Sequence, residues 1–541
     1  MKKRTNMFIG LILFLSSIFA MTVSVADAPF PQGDEIMHIR SIRESLQAGS
    51  YTLPILSGLP NPYKPPLLFW MGMLFDKIFG VSYFSERLVS VFFGIGTLVL
   101  FYNFYHSLSK SAKESKIATL AFGFSFLSLK FFGLIMMEGA MVFFTLLYVY
   151  LFYKSKVENN ITYVLYGSFL VGFGYLLKGP ILHIYIVLFM LSYLFIKMVR
   201  VRKGKFKISF LHMKQERTYI FLFTLSFIIP LFWISYLYLF NSSGKELLRF
   251  FFITENMGKF YAANQSGLRI WGGWFLYSIP FSIPIIHQVW RTIRWKSNHR
   301  NQLFTSVFLV FFLLVTLFHL LPNRKDPYYV TPFIPFLFLL PALKKDAWEL
   351  LILSKINRYS IVFIYLLFGF LATVLRLPLL FGISLVGITV SLEFLFKFQE
   401  RRAKFYQIFL PQLFLVPIAI FFLIRPMADP DTTEQLSGLV GKDICVIADN
   451  PWTGMDVQNK LINYHITFSL PLTFKESCIA ASTLVVFNEV KLTDQWEKIG
   501  SWYRWKQHLN LNFNQMARAL LQRDKRSFQT EVSVWRKKEK E

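Results

Sequence analysis

A handful of ionisable residues in this chain fall in a pattern that could do chemistry. Asp34 and Glu35 open the segment GDEIMHIR, and Lys64 follows in NPYKPPLLFW, directly ahead of two prolines. Arg87 lies in SERLVS, Glu138 in FFGLIMMEGA, Lys178 in LLKGP, Glu255 and Asn256 in FFITENMGKF, and Arg324 and Lys325 in PNRKDPYY. Two or more carboxylates suit general-base work or the binding of a hard cation. Several cations suit a phosphate or pyrophosphate. Each residue alone also has an ordinary structural reading. Lys178 and Lys325 read as helix ends that snorkel. Asp34 reads as a helix cap and Glu138 as an acid favoured by a helix dipole.

What must position these residues is a set of membrane helices. The chain has 541 residues, is 54% hydrophobic and only 16% charged, and carries 62 phenylalanines. A soluble chain of this length would hold roughly a quarter charged residues. Apolar runs near 7–26, 83–105, 117–134, 139–153, 161–177, 180–196, 218–240, 270–289, 303–321, 328–342, 359–375, 377–396 and 405–424 give about thirteen spans in a polytopic α-helical membrane protein. The first run reads as an uncleaved anchor, with a signal peptide ending near ADA (Ala26–Ala28) as the alternative.

The segment 65–80, PPLLFWMGMLFDKIFG, is apolar but short. With it left out as a span and MKKR placed in the cytoplasm, the cytoplasmic pieces carry 28 Lys and Arg against 12 on the other side. Counting it as a span would invert every later loop, so it reads as interfacial. The prolines before it fix φ and hold Lys64 at phosphate depth. The net charge of +27 then reflects cytoplasmic loops facing anionic lipid. It does not point to nucleic acid, since no RNP, helix-turn-helix or zinc-finger pattern is present.

An odd number of spans places residues 426–541 outside. Their runs ICVIA and TLVVF read as strands and NQMARALLQR as helix, a small soluble α/β domain of about 115 residues. Cys445 and Cys478 both lie there. They read as two small core residues or, in an oxidising compartment, as one disulfide.

With this topology the polar residues gather at the outer ends of the spans. Carboxylates and cations together beside lipid suit a sugar carried on a polyprenyl phosphate. A carboxylate would deprotonate or orient an acceptor hydroxyl while cations stabilise the departing phosphate. No P-loop or Rossmann glycine pattern offers a nucleotide site. A transporter and a non-enzymatic envelope assembly protein are the competing readings, though no internal repeat of the transporter kind is visible.

The order DE, then KPPLLFW, then SERLVS resembles the bacterial membrane glycosyltransferases of the GT-C type, in their ArnT-like and protein O-mannosyltransferase-like group. FFITENMGKFY and NRKDPYYVTPFIPFLFLL resemble later elements of that group, and the resemblance covers roughly residues 7–345. It implies about thirteen spans, interfacial helices in the first outer loop, a C-terminal extracytoplasmic domain and a bacterial inner-membrane location with a periplasmic site. By the same resemblance, Asp34 acts on the acceptor and Lys64 contacts the donor phosphate, with Lys178, Arg324 and Lys325 as further cations near it; Arg87, just inside its span, is a further phosphate-binding candidate by its position alone. Glu138 stands where the family has Asp, and Glu35 is a second carboxylate beside Asp34. The family's zinc ligands do not carry over. Tyr63 replaces a Glu, and residues 241–269 contain no His. Asp34 with Glu35 is the pair that could hold a divalent cation. The donor expected is a polyprenyl-phosphate sugar, and the acceptor lipid A, another glycolipid or protein.

Overall fold

The computed structural model describes residues 33–200, 214–293, 301–344, 348–396 and 401–424, together with strands and short pieces between 443 and 538. The expected first span at 7–26, with its signal-peptide alternative, lies outside the described residues, as does most of NQMARALLQR. By its contacts the chain divides into two compact units. One comprises Met1–Ala26, Glu44–Ile361 and Phe394–Val416, and the other Asp27–Arg43, Val362–Glu393 and Pro417–Glu541.

Every apolar run expected as a span from residue 83 onward is helical. Among the described residues seven helices are long and apolar enough to cross a membrane: Tyr83–Ser109, Met137–Glu158, Ile181–Val199, Glu216–Phe240, Leu303–Leu320, Lys355–Val374 and Phe405–Leu423. The other five runs are shorter or broken. The run at 117–134 divides into Ala112–Gly123 and Phe126–Phe131, because Ser125 caps the second piece by accepting the amide of Ser128 at 3.4 Å. The run at 270–289 divides at Ile279–Pro280 into Leu268–Ser278 and Ser282–Ile293. Thr162–Lys178 has 17 residues, and Pro327–Ala342 and Pro378–Leu392 are shorter apolar helices.

The ambiguous segment forms a helix, Leu67–Phe79, of 13 residues. At 1.5 Å per residue it is about 20 Å long, well short of a ~30 Å hydrocarbon core. Its awkward acid is used locally. Asp76 is buried and accepts the Ser85 hydroxyl at 2.6 Å, which ties the short helix to the start of Tyr83–Ser109. Lys77 donates to the Tyr51 hydroxyl at 2.9 Å and covers the Tyr51 ring.

The interior of the first unit is aromatic. Phe281, Phe338, Trp348, Phe122 and Phe409 meet with ring centroids 5.5–6.2 Å apart, mostly edge-on. One polar pair crosses it. The side-chain amides of Asn357 and Gln412 exchange hydrogen bonds at 2.9 Å, and Gln412 also donates to the Pro280 carbonyl at 2.8 Å.

In the second unit, α1 (Gly33–Gln47) contributes its first eleven residues. A short hairpin, β1 (Ile55–Leu56) and β2 (Leu59–Pro60), follows in the first unit. The C-terminal residues build a five-stranded sheet from β3 (Asp443–Ile447), β4 (His465–Ser469), β5 (Thr483–Phe487), β6 (Trp496–Trp505) and β7 (Gln529–Lys537), in the order β4-β3-β5-β7-β6. β3 runs parallel to β4 and β5, whereas β5, β7 and β6 are antiparallel. β3 and β5 are apolar at nearly every position because both faces are covered. Ile444, Val446, Val485 and Phe487 fill one face, and Cys445, Ile447, Leu484 and Val486 the other.

Cys445 and Cys478 are joined in a disulfide, 33 residues apart, packed into the second of these faces. Thiol-reactive reagents should therefore label the native protein only after reduction. Cys445→Ser should destabilise the sheet domain by about 2–4 kcal/mol, read as faster limited proteolysis of the C-terminal region. Labelling of both thiols without reductant would refute the bridge.

Candidate active site

The site in the first unit is assembled from four pieces of chain. The first outer loop is brought in by apolar packing. Leu53 joins Leu237 and Leu248 in a buried cluster, and Tyr63 meets Phe250 edge-on at 5.3 Å. Asn61 holds the turn by accepting the Tyr63 amide at 3.0 Å, and its own amide donates to the Pro54 carbonyl at 2.7 Å. Lys64 is thereby set against the π-helical turn Phe250–Met257, where its ammonium pairs with the Glu255 carboxylate. A π-turn adds one residue to the helical turn and re-aims the side chains that follow. Asn256, one residue on, closes that turn by donating to the Phe251 carbonyl at 2.6 Å. Asn256 is thus a support for Glu255.

Lys178 is the last residue of its helix, and its ammonium pairs with Glu138, a buried acid in the first turn of Met137–Glu158. The helix dipole favours a carboxylate there. Gly179 ends the lysine helix at φ +73° with its Cα pressed on the Phe251 ring, where no side chain fits. That contact joins the Lys178 helix end to the segment carrying Glu255.

The fourth piece is the 322–326 loop, zipped to residues 258–266. The Arg324 amide donates to the Lys259 carbonyl at 3.0 Å and the Gln265 amide to the Asn323 carbonyl at 2.8 Å. The Lys325 amide donates to the Gln265 side chain at 2.7 Å, and the Lys325 ammonium to Asn264 Oδ1 at 2.9 Å. Lys325, a phosphate-contact candidate in the sequence, is buried by these bonds, which hold the loop. Arg324 is the exposed member. Its Nε donates to Asp326 Oδ2 at 2.8 Å, and Arg269 reaches the other oxygen at 3.5 Å. The Tyr328 hydroxyl donates to Asp326 at 3.2 Å, and the Lys178 ammonium lies 5.5 Å above the Tyr328 ring.

Lys259 completes the cluster and was missed in the sequence. It sits four residues after Glu255, in the Gly258–Tyr261 turn, with its ammonium 3.7 Å from the same carboxylate. The i,i+4 spacing in ENMGK was the available signal. Burial pushes the Lys259 ammonium down to about 8; Glu255 opposes this, and the charges of Lys64, Lys178 and Arg324 add to it. Burial alone would raise the Glu255 carboxyl, but Lys64 and Lys259 outweigh it and hold it below its usual value. Five cations (Lys64, Lys178, Lys259, Arg269, Arg324) thus face three carboxylates (Glu138, Glu255, Asp326), leaving positive charge in excess.

The remaining expected residues are placed differently. Arg87 is buried in the first turns of Tyr83–Ser109 with its guanidinium 5.4 Å over the Tyr83 ring. Asp34 and Glu35 stand in the first turn of α1, in the second unit. Asp34 is half-buried, whereas Glu35 is fully enclosed. Among the described residues no three of His, Cys, Asp and Glu gather as metal ligands. With Tyr63 packed on Phe250 and Glu35 enclosed, the donor set does not fit the zinc of the resembled group, and no chemical step is routed through a metal.

Replacing Glu255 by Gln removes the charge that helps Lys259 keep its proton. The acetylation rate of Lys259, followed by mass spectrometry across pH, should show a midpoint near 8 in the wild type and a lower one in Glu255→Gln. An unchanged midpoint would mean that the two side chains do not interact in solution.

Comparison with known proteins agrees with this architecture. Residues 10–243 match the dolichyl-phosphate-mannose-protein mannosyltransferase (PMT) family. Two uncharacterized proteins of Aquifex aeolicus (strain VF5) are 24% identical over 337 residues and 27% identical over 179 residues. These alignments cover 61% and 33% of the chain, and it spans only 62% and 40% of the relatives' own lengths. The crystal structure of ArnT from Cupriavidus metallidurans bound to undecaprenyl phosphate superposes with a TM-score of 0.70 at 12% identity, covering 97% of both chains. The apo structure of the same protein gives 0.67 at 13% identity, covering 89% of this chain and 93% of the other. The chain is a multi-pass membrane protein that resembles the ArnT-like and PMT-like glycosyltransferases of the GT-C type, in sequence over its N-terminal part and in fold over almost its whole length.

Proposed function

We propose that the chain is a glycosyltransferase that moves one sugar from a polyprenyl phosphate to an acceptor hydroxyl on the outer face of a bacterial inner membrane. The observation that carries this reading is the cation-rich cluster of Lys64, Lys178, Lys259 and Arg324, built from loops at the ends of apolar helices. A sugar phosphodiester carries one negative charge, and the phosphate monoester that departs carries nearly two. An excess of fixed positive charge therefore favours the leaving state over the bound donor, which is what lowers a barrier.

Asp34 takes the proton of the acceptor hydroxyl, following the family resemblance. The hydroxyl oxygen bonds to the anomeric carbon from the face opposite the phosphate. The carbon–oxygen bond to phosphate breaks with its electron pair, and one displacement inverts the anomeric centre. Lys64 exchanges Glu255 for the donor phosphate, and Glu138 keeps Lys178 directed at it. Glu35 supports α1 from inside. The acceptor is a hydroxyl of lipid A, another glycolipid or a protein Ser/Thr, and the Cys445–Cys478 bridge supports an oxidising, periplasmic setting for the tail.

Purified protein incubated with a radiolabelled polyprenyl-phosphate sugar and an envelope extract should transfer label to an acceptor. Lys64→Ala should slow transfer about 10²- to 10³-fold, and Asp34→Asn about 10²- to 10⁴-fold. Full activity in both variants would remove the site assignment, and no transfer across a panel of sugars would remove the activity itself. As pH rises through about 8 Lys259 loses its charge, so donor KM should climb above that pH. Lys259→Arg, charged throughout, should flatten the rise.

A further inference from the structure

α1 is a polar helix in an enclosed position. Glu35, His38, Ser41 and Arg43 are all buried along it, together with Ile36, Met37, Ile39 and Ile42. Within the same compact unit, Asn459 of the C-terminal domain touches it at two points. The Asn459 side-chain amide donates to the Ile36 carbonyl at 3.0 Å, and the Arg43 guanidinium donates to the Asn459 backbone carbonyl. A helical carbonyl has a second lone pair, so Ile36 can accept this bond without giving up its place in the helix.

Residues 36 and 43 are seven apart, two turns along one face of a helix and about 10 Å in axial distance. Contact at both ends of such a span fixes the height of the helix and its rotation together. Asp34 lies two residues from the upper contact. Asn459 is 1% exposed, and its Oδ1 has no hydrogen-bond partner among the described residues. The Asn459 side-chain amide thereby grips the turn that follows Asp34.

We infer that Asn459 is a positioning residue for transfer, by which the C-terminal domain aims Asp34 at the acceptor. This rests on the role given to Asp34 above. It assigns the C-terminal domain a part in the chemistry, through the orientation of one carboxylate and with no contact to donor or acceptor. Misplacing a reacting group by about 1 Å costs on the order of a hundredfold in rate.

The test uses the full-length protein with a radiolabelled polyprenyl-phosphate sugar. Asn459→Asp keeps the shape but turns a donor into a carboxylate facing the Ile36 carbonyl. It should lower kcat about 10- to 100-fold, leave donor KM unchanged, and add little to the loss already caused by Asp34→Asn. Hydrogen exchange of the amides of residues 33–47 should quicken in Asn459→Asp while those of 83–109 stay unchanged. A wild-type kcat, a rise in donor KM alone, an equal loss on the wild-type and Asp34→Asn backgrounds, or unchanged exchange over 33–47 would overturn the inference. A fully active Asp34→Asn would instead overturn the role of Asp34, and shows separately. If Asn459→Asp leaves the Cys445–Cys478 bridge unformed, seen as alkylation without reductant, Arg43→Gln opens the same clamp from the helix side with the same outcomes.

Discussion

A charge held at the edge of an apolar helix bundle must be met by an opposite charge or by strong hydrogen bonds, since water there is scarce. That constraint shapes both ends of Met137–Glu158. Near its C-terminus Glu216 is buried and shared by Lys156, at 2.9 Å, and Lys197. Near its N-terminus Glu138 serves Lys178, while Glu255 serves Lys64 and Lys259. The two ends differ in what surrounds them. Around Glu216 the Lys156 ammonium lies 3.6 Å from the Tyr219 ring, and the group reads as a fixed strut. Around Glu255 one partner comes from the first outer loop and the other from the turn that follows, and cations outnumber carboxylates.

Much of this was legible in the sequence because it depends on residue type and order. The apolar runs marked the helices, and their ends marked where Lys64, Glu138, Lys178, Glu255 and Arg324 would gather. The short reach of 65–80 showed in its length. What was not legible depends on pairing across the chain. Lys325 looked the equal of Arg324 until the Asn264 and Gln265 side chains drew it inward. Glu35 and Asp34 are neighbours in sequence, and only the rotation of α1 separates an enclosed carboxylate from an accessible one. Lys259 lay hidden in the short Gly258–Tyr261 turn, just beyond a π-helical turn that no periodicity announced. The breaks at Ser125 and Ile279–Pro280 likewise come from local capping and chain direction inside otherwise unbroken apolar runs.

The C-terminal region obeys different rules from the helical part. Its central strands bury both faces, and a disulfide ties β3 to Cys478 in the turn ahead of β5. Its division of labour with α1 runs through one asparagine, which gives a region without a recognisable motif a mechanical reason to stay folded.

The aromatic interior of the first unit carries a consequence for how such a chain changes over time. In lipid, moving an apolar side chain from the outside of a bundle to its centre gains little, because acyl chains are as apolar as the core. What holds the helices is the fit of shapes, as where the Phe281 ring meets Trp348 edge-on and Phe409 at a tilt. Many combinations of bulky side chains can satisfy a shape, and few of them share letters. A scaffold of this kind can keep its fold with nearly every residue of its interior exchanged, and a TM-score of 0.70 at 12% identity is a likeness of fold with little likeness of sequence.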